Sequence, residues 1–198
     1  CKVLLDGQGA DEILCGYHYF FSYYLYQLFS ERRFTKLFFE AVNIFTKTKN
    51  INVHKLFFFL LSNEKVKSLI LRERNDYVNQ DYFGNKVDKE KLVNEFSQAS
   101  SISEISEVHL SHKLQHLLRY EDKNSMAFSI ESRVPFLDYR LVRYCIDKPA
   151  NFHIRNGLTK FSFRLAMRNL VESKILLRKD KIGFKTMESK WFESEELK

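Results

Sequence analysis

An α/β domain that is predominantly helical in this portion is predicted by three observations. Val3, Leu4 and Leu5 form an apolar run of strand length, followed at once by a turn bracketed by Gly7 and Gly9 and by an acidic helix start, Asp11 and Glu12. Downstream stretches repeat their apolar residues at helical spacing rather than in alternation. The 198 residues hold only 6 Gly and 2 Pro with 44% hydrophobic content, which favours an ordered helical body over a loop-dominated or disordered chain.

The elements follow in order. Residues 2–5 are predicted to be a short buried strand. Residues 11–29 read as one helix carrying Tyr17, Tyr19, Phe20, Phe21, Tyr23, Tyr24, Tyr26 and Phe29. A helix apolar nearly all round is buried, so these rings read as core and not as a stacking platform for bases. Residues 31–47 and 53–74 alternate Phe and Leu with Lys and Arg at helical intervals, as amphipathic helices do. Residues 75–87, with Gly84 and Asn85, read as a loop, and 89–101 as a polar connection or short helix. A helix is predicted over 103–118 with Ser103 and Glu104 near its start. The next helical stretch is expected to end at Pro135, because the residue before proline disfavours the α region. Residues 138–146, with Asp138 as N-cap, and 159–170 complete the helices. With no internal repeat and no low-complexity linker, residues 1–198 read as a single unit.

Net charge is +7, from 32 Lys+Arg against 25 Asp+Glu. A basic surface can meet nucleic acid, an anionic membrane or a nucleotide. Here the basic residues are scattered and no nucleic-acid motif is present, so a solvated lysine-rich surface and no nucleic-acid partner are expected. Cys1, Cys15 and Cys145 cannot pair evenly, which points to reduced thiols and a cytoplasmic location. The longest apolar run, residues 56–61, is about a third of a membrane span, so no membrane partner is expected. His109, His112 and His116 fall at spacings that share a helical face. No nearby Cys or acidic fourth ligand accompanies them, so they read as a chance cluster rather than a zinc site.

Chemistry concentrates in residues 4–17, LLDGQGADEILCGY. A strand, a glycine turn and a helix start suit phosphate, because glycine admits close backbone approach and unpaired N–H groups at a helix start attract anions. Asp11 and Glu12 would repel a bare triphosphate, so the pair points to a magnesium–nucleotide complex. Two further segments join it: LRYEDKNSMAFSIESRVPFLD over 118–138, and 157–184, which opens on GLTKFSFRLAM and ends on RKDKIGF. The three, in this order, strongly resemble the synthetase domain of glutamine-dependent asparagine synthetases. That family shows a G-[EQ]-G-[AS]-D-E turn, then a D-[KR]-x-S-M-A…E-x-R-V-P-F-L-D block, then a K…R-x-A segment and an R-x-K-x-x-F-like loop. The resemblance is weak between residues 30 and 111. Its specificity is higher for the superfamily than for asparagine itself, since β-lactam synthetases and peptide-cyclising relatives share the scaffold.

The resemblance implies part of an adenine-nucleotide alpha-hydrolase-like synthetase domain, of the PP-loop ATP pyrophosphatase type. It implies an enzyme that adenylates the side chain of aspartate with ATP and Mg²⁺ and transfers ammonia to it. Asp11 would hold Mg²⁺, with Gly7, Gln8 and Gly9 lining the nucleotide side. Some members carry Glu where Gln8 stands, which argues against an acid/base role here. Lys181 in RKDKIGF matches the lysine that approaches the phosphate and the acyl-adenylate. Arg119 and Asp122 are placed near the substrate pocket, with a structural ion pair as the competing role for Asp122. Glu131 and Arg133 read as a buried ion pair ahead of Pro135. Ammonia would come from a glutaminase domain, and a homodimer is expected of the full-length enzyme. That domain's nucleophilic N-terminal cysteine is not what Cys1 resembles, since KVLLDG belongs to the synthetase turn. The family's SGGxDS pyrophosphate loop is not in this sequence, so the chain by itself is expected to be inactive. Two alternatives remain open: a relative that closes a lactam or modifies a peptide or sugar, and a non-catalytic basic helical binding module.

Overall fold

The computed structural model describes residues 2–48, 51–61, 95–96 and 98–179. Its first strand, β1 (Val3–Leu5), runs parallel to β2 (Glu131–Arg133), with Val3 opposite Glu131, Leu4 opposite Ser132 and Leu5 opposite Arg133. The pairing extends past both ends, through Glu131 N–H to the Lys2 carbonyl at 2.9 Å and Asp6 N–H to the Arg133 carbonyl at 2.8 Å. β2 corrects the expectation of a helix running to Pro135. The helix before it ends at Ala127, and Ser129 takes a left-handed backbone, φ 57°, that turns the chain into the strand. β1 also departs from expectation, because it is not buried: Leu4 and Leu5 are 50% and 69% exposed. Parallel strands are normally covered on both faces, and the described residues lay no such cover over this one.

Helices α1 (Ala10–Ile13), α2 (Phe20–Ser30), α3 (Phe34–Thr48) and α4 (Ile51–Leu61) follow β1. The single helix expected over 11–29 is two, because Cys15 adopts φ 56° and the Gly16 N–H bonds the Asp11 carbonyl at 2.8 Å. α4 is described as far as Leu61; the rest of the helix expected over 53–74, the loop over 75–87 and most of 89–101 lie outside the described residues.

α2 is the centre of the main core. Phe20, Phe21, Tyr23, Tyr24, Leu25 and Leu28 are buried against Ile44 of α3, Val53 and Leu60 of α4, and Ile102 and Ile105 of α5 (Ile102–Val108). The prediction that these rings are core holds for this face, while Phe29 at the end of α2 is exposed. Polar ties fix the register: Ser22 Oγ donates to the Val53 carbonyl at 2.9 Å, and Gln27 Oε1 accepts from the Ile102 N–H at 3.1 Å.

The start of α5 is held by two side-chain to backbone bonds, slightly earlier than the spacing predicted. Ser101 Oγ accepts from the Glu104 N–H at 3.2 Å, and the Glu104 carboxylate accepts from the Ser100 N–H at 2.8 Å. That N–H holds the Glu104 carboxyl below its usual range. Replacing an N-cap serine by alanine costs about 1 kcal/mol, so Ser101→Ala is expected to lower unfolding free energy by about that amount in denaturant titration.

α5 passes without a break into a π-helical turn, His109–Lys113, and then into α6 (Leu114–Ala127). After β2, a 3₁₀ turn, Pro135–Leu137, leads to α7 (Tyr139–Ile146), whose N-cap is Asp138 as predicted. Glu131 and Arg133 do pair, at 2.8 Å, but both are more than half exposed, which corrects the expected buried pair. Their side chains leave the strand on a face that nothing described covers. The chain ends its described part with α8 (Ala150–His153), α9 (Phe161–Ala166) and α10 (Ser173–Leu176). α9 is shorter than the predicted 159–170. Lys160 in left-handed conformation, φ 54°, delays its start, and residues 167–170 follow as turns. Among the described residues no helix is long and apolar enough to cross a membrane.

Candidate functional site

The site grows from the carboxyl end of β1. Asp6 closes the strand, and its own carboxylate accepts the Gly7 N–H. Gly9 then takes φ 87°, and a Cβ there would press into the Leu137 side chain. Both the backbone and the neighbouring PFLD segment therefore select glycine at this position. The helix that follows, α1, is one turn long, so its dipole contributes less than the predicted long helix would have.

The acidic pair divides into two roles. Glu12 is 1% exposed, and its Oε1 accepts from the Tyr17 hydroxyl at 2.7 Å. Burial, with that carboxylate alongside, pushes the Tyr17 phenol well above its ordinary range. Lys113 Nζ lies 4.2 Å from the Tyr17 ring centroid and 5.3 Å from that of Tyr19. Asp11 faces outward instead. Its Oδ1 meets Lys160 Nζ at 2.6 Å, with the side chains 26% and 28% exposed. A Cβ on Gly16 would run into both partners, so the absent side chain there makes room for the pair.

Beneath the aromatic wall lies His109, buried in the π-helical turn. Its Nδ1 is 3.2 Å from the Tyr19 hydroxyl, and its ring stacks on Tyr19 with centroids 4.9 Å apart. Burial first, and Lys113 second, lower its pKa to about 4. Between about pH 6.5 and 4 the unfolded chain binds a proton that the folded chain refuses, so stability falls as pH falls through that window. Denaturant unfolding is expected to lose about 3 kcal/mol over this interval, and His109→Gln is expected to flatten that part of the profile. The other two histidines of the spacing cluster point elsewhere: His112 Nε2 bonds Glu95 Oε2 at 2.6 Å, and His116 is exposed.

The remaining sequence-predicted residues are less concentrated. Gly7 is exposed and Gln8 half-buried in the turn. Arg119 and Asp122 lie exposed on α6, where the Asp122 carbonyl accepts from Ser125 Oγ at 3.1 Å. Lys181 lies outside the described residues. Glu121, between Arg119 and Asp122, is the side chain that turns toward the strands: its Oε1 accepts from Ser132 Oγ at 2.6 Å. Burial, with Asp6 beside it, raises its carboxyl above the usual range. The sequence carried a signal for it only in its adjacency to those two positions.

For Mg²⁺, the described residues hold no group of three or more His, Cys, Asp or Glu that would cage a metal. Mg²⁺ is commonly held by one or two carboxylates completed by substrate phosphates and water. The partly exposed Asp11 fits that arrangement, whereas the buried, Tyr17-bonded Glu12 does not.

A glycine turn and an outward carboxylate at the carboxyl end of a parallel strand define an α/β domain with its candidate site where such folds take ligands. The chain belongs to the asparagine synthase family, whose family model matches residues 1–198. It is 29% identical over 177 residues to asparagine synthetase [glutamine-hydrolyzing] 3 of Bacillus subtilis (strain 168), covering 89% of this chain and 25% of that protein. Asparagine synthetase [glutamine-hydrolyzing] 1 of the same organism is 34% identical over 105 residues, 50% of this chain and 16% of that one. The asparagine synthetase [glutamine-hydrolyzing] of Gallus gallus is 34% identical over 77 residues, 36% and 14% respectively. The chain thus spans about a quarter or less of the length of these relatives. No solved structure matches it significantly.

Proposed function

We propose that this chain is the carboxyl-side portion of a PP-loop synthetase domain in an ATP-dependent carbon–nitrogen ligase that makes asparagine from aspartate. The observation that carries the reading is the outward Asp11 carboxylate beside the Gly7–Gly9 turn at the end of β1, in a chain matched to the family from end to end.

In the first half-reaction a side-chain carboxylate oxygen of aspartate attacks the α-phosphorus of ATP. The bond to the bridging oxygen breaks, and pyrophosphate leaves. Ammonia, supplied by glutamine hydrolysis in a separate domain, then attacks the acyl carbon. It loses a proton, and AMP departs with the electron pair of the broken acyl–oxygen bond. Mg²⁺, when bound, supplies charge neutralisation at the phosphates.

Asp11 would hold that ion. Gly7 and Gly9 let the backbone approach the nucleotide, and the Gln8 amide orients it by hydrogen bonds without acting as an acid or base. Lys181 serves as a compact cation toward the acyl-adenylate, and Arg119 and Asp122 border the aspartate pocket. The whole enzyme works in the cytoplasm, as a homodimer.

The full-length polypeptide should catalyse exchange of labelled pyrophosphate into ATP only when aspartate is present. Exchange driven equally well by another carboxylic acid would move the reading to a lactam- or peptide-forming relative.

A further inference from the structure

Lys160 is the lysine of the K…R-x-A segment, to which the motif reading gave no role, and several independent contacts fix its place. Its backbone sits in the left-handed region, φ 54° and ψ 32°, a conformation that costs a non-glycine residue of order 1 kcal/mol and persists only where the surroundings enforce it. The Lys160 N–H bonds the Leu14 carbonyl at 3.2 Å, and its own carbonyl accepts from the Arg164 N–H at 2.9 Å. Arg164 Nε holds the preceding Thr159 carbonyl at 2.7 Å, and its Nη1 reaches the Leu176 carbonyl.

The other end of the segment is gripped from α3. Glu40, 5% exposed, accepts the N–H groups of Asn156 and Gly157 at 3.1 and 3.3 Å. Lys47 Nζ donates to the Asn156 carbonyl at 2.7 Å. The Phe-rich α3 thereby clamps the turn at 155–158 from which Lys160 is extended toward Asp11.

We propose that Lys160 is a positioning residue that holds the Asp11 carboxylate in the absence of metal and competes with a divalent cation for it. The proposal rests on the ligase reading for Asp11 as the metal-holding carboxylate. An ammonium 2.6 Å from Oδ1 and a divalent cation on the same carboxylate repel each other, so each weakens the binding of the other. Lys160, displaced from Oδ1, stays beside Asp11 and Gly16, where the negative charge of the nucleotide phosphates would receive it. Metal binding without nucleotide is therefore weak by construction, and metal arriving with a triphosphate is favoured.

The test titrates Mn²⁺ alone, without nucleotide, into the full-length polypeptide and reads free Mn²⁺ by electron paramagnetic resonance. Lys160→Met is expected to bind Mn²⁺ about fivefold more tightly than the wild type, and Lys160→Arg, which keeps the charge, to bind it as the wild type does. Asp11→Asn is expected to abolish the gain in the Lys160→Met background. Lys160→Gln repeats the measurement with a neutral polar side chain should the methionine variant not fold. Equal Mn²⁺ affinity in the wild type and the neutral variants, with thermal unfolding unchanged, would overturn the proposal. Absence of pyrophosphate exchange in the wild type would sink the ligase reading instead, because the metal titration uses neither ATP nor aspartate.

Discussion

Asp11→Asn is expected to lower aspartate-dependent pyrophosphate exchange by about 10²–10³-fold, the range seen when a single group that stabilises transition-state charge is removed. The substitution keeps the shape of the side chain and an oxygen that can accept from Lys160, so folding should be little affected. A partly exposed ion pair of this kind is worth roughly 1 kcal/mol or less. Glu12→Gln provides the contrast. Glu12 is enclosed and bonded to Tyr17, and its replacement should act on stability more than on the Mg²⁺ dependence of the rate. Initial-rate exchange measured against Mg²⁺ concentration separates the two. Equal losses in both variants would contradict the division of roles between the adjacent acids.

The largest expected loss of stability belongs to Gly157. Its φ is 66°, and a Cβ there would stand 2.7 Å from the Asn43 carbonyl oxygen and 2.9 Å from its carbon. These are backbone atoms of α3, which can yield only if the helix shifts. Gly157→Ala should therefore destabilise the protein by about 3 kcal/mol, combining left-handed strain with overpacking. It should also loosen the Glu40 clamp. Gly7→Ala is the internal control, because its Cβ would meet nothing within 4 Å, and it should cost only a few tenths of a kcal/mol. Denaturant unfolding of the two variants, compared with the wild type, checks the difference. A cost below about 1 kcal/mol for Gly157→Ala would mean that the turn does not press on α3 as described.

What the sequence conveyed and what it withheld follow from how local each cause is. The glycine turn was legible because Gly7, Gly9, Asp11 and Glu12 lie within one short stretch, and the α7 start was legible because Asp138 caps it with its own side chain. β2 was hidden. Glu131, Ser132 and Arg133 carry no apolar alternation, and they are a strand only because the backbone of β1, far away in sequence, pairs with them. The break at Cys15 was missed because apolar residues continue on both sides, although Gly16 beside it is the residue type that ends helices. The site shows the same pattern. Asp11 could be picked from its motif, but its partner Lys160 and the clamp from Glu40 depend on contacts across more than a hundred residues of chain. The different fates of Asp11 and Glu12, one outward and one enclosed, also arise only from packing.

The most direct test of the central claim follows oxygen. Aspartate labelled with ¹⁸O in its side-chain carboxylate is incubated with the full-length protein, Mg-ATP and an ammonia source, and the nucleotide product is analysed by mass spectrometry. Attack on the α-phosphorus predicts one ¹⁸O in AMP for each asparagine formed. Label in inorganic phosphate with ADP as the nucleotide, or unlabelled AMP, would contradict the account.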